Sequence, residues 1–104
     1  IYRRLGDRRS EAVALGQVAG LLARQGRLAE AIALRKDQEL PVYRELGLAR
    51  DLVIGRTNLG LLYAQAGRLA EAEGEWEVAE AEARRHGYGE VAQIATIRAR
   101  FRRS

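Results

Sequence analysis

With no cysteine, a thiolate nucleophile and a thiolate metal site are excluded, and with a single histidine any chemistry needing an imidazole rests on His86 alone. His86 lies in "RRHGYG", and no second histidine completes a ligand set. At a helix C-terminus its protonated ring interacts favourably with the dipole, and that is the role expected. The carboxylates of "EAEGEWEVAEAE", Glu71 to Glu82, are the other candidates for acid–base work, which needs two such groups facing one cleft. Here Glu71, Glu73, Glu75 and Glu77 alternate, which on a helix spreads them around the axis and predicts a solvated face. None of the 11 glycines falls between a strand and a helix, where main-chain amides would cradle a phosphate. No nucleophile, base and orienting group are placed to meet, so the sequence predicts no enzyme, no cofactor and no metal site.

Charge raises another class of function. The chain carries 18 basic and 14 acidic residues, a net charge of +4, and Lys36 is its only lysine. That arginine bias, with abundant alanine and glycine, fits a bacterial genome rich in G and C. Arg3, Arg4, Arg8 and Arg9 near one end and Arg98, Arg100, Arg102 and Arg103 near the other make a basic nucleic-acid-binding module an alternative reading. Phosphate binding needs such residues on one face, interleaved with aromatics. These lie at opposite ends of the chain, so pairing with nearby acids is the expectation and nucleic acid is not the expected partner. No apolar run approaches the roughly 20 residues of a membrane span. A cytoplasmic location without membrane contact is therefore expected, with secretion left open.

The elements that would position these residues are helices. At a composition of 47 % hydrophobic and 31 % charged residues, the 104-residue chain has enough apolar surface for one modest core. "GRLAEA" occurs at Gly26–Ala31 and again at Gly67–Ala72, and the same offset aligns "YRRLG" at Tyr2–Gly6 with "YRELG" at Tyr43–Gly47. Apolar and small residues recur at helical spacing from Ser10 to Gly26, with Asp7 as the expected N-cap and Gly26 as the left-handed stop. A second helix follows from Arg27 to Leu46, a third from Ala49 to Ala66 and a fourth from Arg68 to Arg85. Gly47, Gly67 and "HGYG" are the breaks. A fifth runs from Glu90 to Arg103, with Val91, Ile94, Ile97 and Phe101 on one face. The second helix holds one residue more than its counterpart and the chain's only proline, Pro41, so a bend or wide turn is predicted near Asp37 to Pro41.

The second copy, "TNLGLLYAQAGRLAEAEGEWEVA", resembles a tetratricopeptide repeat. Leu59, Gly60 and Tyr63 match the family's first-helix pattern, and Ala72, Trp76 and Ala79 match its small–aromatic–small series. In the first copy Val18, Ala19, Leu22 and Ala31 stand at corresponding positions. Units near 40 residues are similar to the longer bacterial form of the repeat. The resemblance implies a right-handed, all-α solenoid of helical hairpins. Residues 1–6 would be the tail of a preceding helix, 7–47 the first repeat, 48–87 the second and 88–104 a capping helix, all within one domain and a piece of a longer array. It also implies that Trp76 fills the gap between hairpins beside Tyr63 and close to Gly60.

Function follows from the same resemblance: a non-catalytic scaffold that binds a protein or peptide in an apolar concave groove along the first helices. The groove residues it implies are Val13, Arg24, Ile54, Thr57, Asn58, Leu61, Gln65, Ile94, Ile97, Arg98 and Phe101. Asn58 matches a residue that hydrogen-bonds peptide backbone in many family members, and Arg98 stands at the same place one repeat on. Gly16 and Gly20 occupy positions where carboxylate-gripping members carry Lys and Asn, so a clamp for a chain terminus is not expected. Self-association as a homo-oligomer, or a regulatory sensor role within a larger protein, are the alternatives.

Overall fold

The computed structural model describes residues 5–102. "YRRLG" lies largely outside them, as do Arg3, Arg4 and Arg103. Among the described residues all regular structure is helical: α1 Leu5–Arg24, α2 Leu28–Leu34, a π-helical turn Arg35–Glu39, α3 Leu40–Leu46, α4 Ala49–Gln65, α5 Leu69–His86 and α6 Glu90–Arg102. The Cα trace spans 49 × 35 × 16 Å. A thickness of 16 Å is that of two helix layers, because packed axes lie about 8–10 Å apart.

The repeated hexapeptide builds the turns. Gly26 and Gly67 have φ of 81° and 80°, and Gly47 and Gly87 have 70° and 72°, a conformation that costs only glycine nothing. The amide one residue later closes the helix end each time: Arg27 N–H to Leu22 O at 2.9 Å, Leu48 to Tyr43 at 2.9 Å, Arg68 to Tyr63 at 2.8 Å and Tyr88 to Ala83 at 2.8 Å. Arg27 then reaches Glu30, and Arg68 reaches Glu71, with both members of each fork bonded. Ala31 and Ala72, the last letters of the hexapeptide, are fully buried. The six residues thus supply a helix stop, a start with its ion pair, and a small contact surface.

Helix α1 begins earlier than the sequence suggested. Gly6 and Asp7 lie inside it, with no break between them, and Asp7 is an acid of the first turn rather than an N-cap. Its charge still suits the positive end of the dipole. The surplus residue before Pro41 is taken up by the π turn at Arg35–Glu39, immediately ahead of the proline at the start of α3. Widening the backbone there accommodates both the extra residue and the ring that clashes with the carbonyl four positions back.

Packing follows the chain. Helix α1 lies on α2, the π turn and α3; these in turn contact α4; α4 makes its most extensive contact with α5; and α5 carries α6. One core runs through, with Ala12, Ala19, Ile32, Leu40, Tyr43, Val53, Leu59, Tyr63, Trp76 and Ile94 all buried. Along one edge Arg9 of α1 forks onto Asp51 of α4, and Arg50 of α4 forks onto Glu90 of α6. These two rungs tie α1, α4 and α6 while leaving space between them.

Candidate interaction groove

Side chains of α1, α4 and α6 border a groove in connected sections. The first, about 680 Å³, lies between α1 and α4 and is lined by Val13, Gly16, Gly20, Leu21, Arg24, Ile54 and Asn58, with Arg35, Glu39 and Tyr43 also bordering it. The second, about 570 Å³, lies between α4 and α6, where Ile54, Thr57, Asn58 and Leu61 face Ile94 and Ile97. A third, about 420 Å³, extends past Arg24, Leu61 and Gln65. Asn58 borders all three. Its half-buried side chain makes no hydrogen bond to any described residue, so its amide is available to a ligand. Thr57 is differently engaged: its hydroxyl donates to Val53 O at 2.8 Å, and its own carbonyl accepts the Trp76 indole N–H at 3.1 Å.

Two expected groove residues are elsewhere. Arg98 turns onto α5, where it pairs with Glu73 and with Glu80, each at 2.6 Å. Phe101 lies against Trp76, ring centroids 5.2 Å apart, beside Leu69 and Ala70. The cause is helical register. Asp51, Ile54, Gly55 and Asn58 face α1 across the first section, and Glu90, Gln93, Ile94 and Ile97 face α4 across the second, each 39 positions later (90 against 51, 97 against 58). Aligning α6 at an offset of 40 turns it by one residue, about 100°. Ile97, not Arg98, is the groove counterpart of Asn58. Trp76 accordingly fills the gap between the α4–α5 hairpin and α6, not that between the two hairpins.

The acidic run on α5 is also not one solvated face. Glu75 pairs with Arg56 of α4 at 3.1 Å, and Glu80 is bridged by Arg84 and Arg98. Hydrogen bonds from Arg84 first and Arg98 second hold the Glu80 carboxyl below the usual carboxylate range. Arg8 and Arg9 are paired with Glu45 and Asp51. His86 ends α5, with Nε2 3.5 Å from Glu82 and its ring stacked on Tyr88. No group of three metal-ligating side chains occurs among the described residues, and no helix among them is long and apolar enough to cross a membrane.

One feature of the site had no signal in the residue pattern: an ion pair under the first section. Arg35 donates to Glu39 at 2.8 Å and to the carbonyl of Gly16 at 3.1 Å, while Tyr43 donates its hydroxyl to the other Glu39 oxygen at 2.9 Å. Glu39 is 4 % exposed. A methyl at Gly16 would stand 2.6 Å from a Glu39 oxygen, so a side chain there would displace the Glu39 carboxylate from its present position. Burial, reinforced by the bond to Glu39, raises the Tyr43 phenol well above its ordinary pKa. The charges come together because the π turn aims Arg35 and Glu39 at α1. No protein-family model, curated protein or solved structure matches the chain.

Proposed function

We propose that the chain is a non-catalytic interaction module, a tetratricopeptide-like solenoid segment that holds a peptide or a segment of another protein in the groove along α1, α4 and α6. The observation that carries the reading is Asn58, an unengaged amide at the junction of three groove sections whose walls include Val13, Leu21, Ile54, Leu61 and Ile97. Apolar walls with a few polar groups suit a segment held by side-chain burial and oriented by hydrogen bonds. Exposure of Ile54 at 41 % and Leu21 at 52 % supports a surface that gains from being covered.

The test is selection from a displayed library of random 15-residue peptides, followed by calorimetry. Enriched peptides should lose at least about tenfold in affinity with Asn58→Ala and with Leu61→Glu. They should bind unchanged to Val78→Gln, a substitution on the exposed face of α5 outside the groove. Failure to enrich any peptide, or peptides indifferent to both groove substitutions, would overturn the reading.

A further inference from the structure

The first and third groove sections, between α1 and α4, do not balance their charge. Arg9, Arg24, Arg35, Glu39 and Asp51 border them, and four of these five are already matched: Arg9 forks onto Asp51, and Arg35 is bonded to Glu39 and to the carbonyl of Gly16. Arg24 is exposed and makes no ion pair or hydrogen bond with any described residue. Its place in the last turn of α1 suits the helix dipole, which leaves the guanidinium donors unused. The third section, which Arg24 shares with the neutral amides Asn58 and Gln65, has no acid on its border. Gly20 lies one helical turn before Arg24, and a Cβ there would meet nothing within 4 Å, so the wall at that point is open. An unpaired guanidinium with two amides, and no competing acid, forms a receptor for one carboxylate. One unmatched positive charge is balanced by a carboxylate and overbalanced by a phosphate ester of nearly two charges. The third section shares Gly20, Arg24 and Asn58 with the first and Asn58 and Leu61 with the second, so a chain seated in it can continue both ways. An acid within a segment fits that continuity; a chain terminus does not use it.

We infer that the groove selects an acidic segment: an internal Asp or Glu side chain is received by Arg24, Asn58 and Gln65, and an apolar side chain of the same segment is buried among Ile54, Leu61 and Ile97 in the second section. The inference rests on the groove holding a peptide, and it names the chemistry of that peptide.

Calorimetry on the peptides enriched from the random 15-residue library, synthesised with amidated C-termini, tests it. Enriched peptides should share an Asp or Glu, and its replacement by Asn or Gln should weaken binding to wild type by about tenfold or more, the loss expected for a charge-assisted hydrogen bond. Phosphoserine at that place should bind no more tightly than the acid. Arg24→Gln should bind the acid and amide forms alike, Arg24→Glu should prefer the amide form, and Arg24→Lys should keep the preference for the acid. Arg44→Gln, which removes an exposed arginine outside the groove, should also leave that preference intact. Helical circular dichroism checks that each variant folds, and the exchange made in the peptide alone keeps the test decisive if one does not. A preference for the acid that persists in folded Arg24→Gln or disappears in Arg44→Gln, tighter binding of the phosphoserine form, or a requirement for a free C-terminal carboxylate would each overturn the inference. Peptides that depend on Asn58 and Leu61 but share no acid sink this inference and spare the broader reading. A library that enriches nothing removes both.

Discussion

Trp76 donates its indole N–H to the main-chain carbonyl of Thr57 at 3.1 Å, an approach from α5 to α4 that exists because residue 60 has no side chain. A methyl at Gly60 would overlap the indole ring. Trp76 is 1 % exposed and touches α6 through Phe101, so one residue joins three helices. Trp76→Ala should cost about 3–5 kcal/mol, the range for deleting a buried large aromatic. Gly60→Leu should be comparably damaging, because rigid ring and backbone stand in the way. Denaturant midpoints measure both, and a change under about 1 kcal/mol for either contradicts the packing.

The Arg35–Glu39 pair makes a different prediction. Glu39→Ala leaves a largely buried guanidinium unpaired and should cost about 3–5 kcal/mol. Replacing the network together, with Arg35→Met, Glu39→Leu and Tyr43→Phe, should return stability to near wild type or above it, because the desolvation of both charges disappears with them. Thermal unfolding of the single and triple variants decides the matter: a triple variant as unstable as Glu39→Ala would mean that the charges themselves hold the π turn.

Acid should weaken the fold in a defined window. Glu80, Glu45, Glu90, Glu30 and Glu71 all have carboxyl pKa values lowered by arginine hydrogen bonds. In that window the unfolded chain binds more protons than the folded one, so stability rises with pH. The contribution is complete above the unfolded glutamate value of about 4.3 and is lost as pH falls through the lower folded values. Stability should therefore be flat near neutrality and fall below about pH 4.5, and Glu80→Gln should make that fall shallower. Chemical denaturation at stepped pH measures the slopes; identical slopes would remove Glu80 from the account.

Alkali should act through Tyr43. Its phenol is held protonated by burial and by the bond to Glu39, whereas the unfolded chain releases that proton near pH 10. Stability present below that pH should decline above it, and Tyr43→Phe should reduce the decline. Ultraviolet titration of the phenolates, with and without the substitution, follows the same group directly.

Asn58 should separate binding from folding. Its side chain has no described partner, so Asn58→Ala should change stability by no more than about 0.5 kcal/mol while weakening any groove ligand. Paired melting curves and calorimetry test this, and a large loss of stability would show a structural role.

Much of the architecture was legible because its causes are local. Glycine alone enters the left-handed turn cheaply, so Gly26, Gly47, Gly67 and Gly87 marked helix ends. Apolar spacing marked the helices between them, and an extra residue beside Pro41 signalled a wide turn, found at Arg35–Glu39. That arginines near the chain ends would pair with nearby acids was also legible, but Arg98 was expected in the groove and Glu80 on a solvated face, so this particular pair was not.

What only the tertiary structure decided was rotation and convergence. The spacing of Ile94, Ile97 and Phe101 fits one broad face of α6, but a 13-residue helix has no internal reference for its rotation. Contact with Trp76 draws Phe101 toward α5, Glu73 and Glu80 draw Arg98 the same way, and Ile97 is left in the groove. Arg35, Glu39 and Gly16 likewise give no joint signal, being 19 and 4 residues apart; they meet because a π turn on one helix faces a glycine on another. Sequence spacing determines which residues share a helix and where that helix must stop. Which way each helix turns is set by the neighbours it finds, and the groove is a product of that choice.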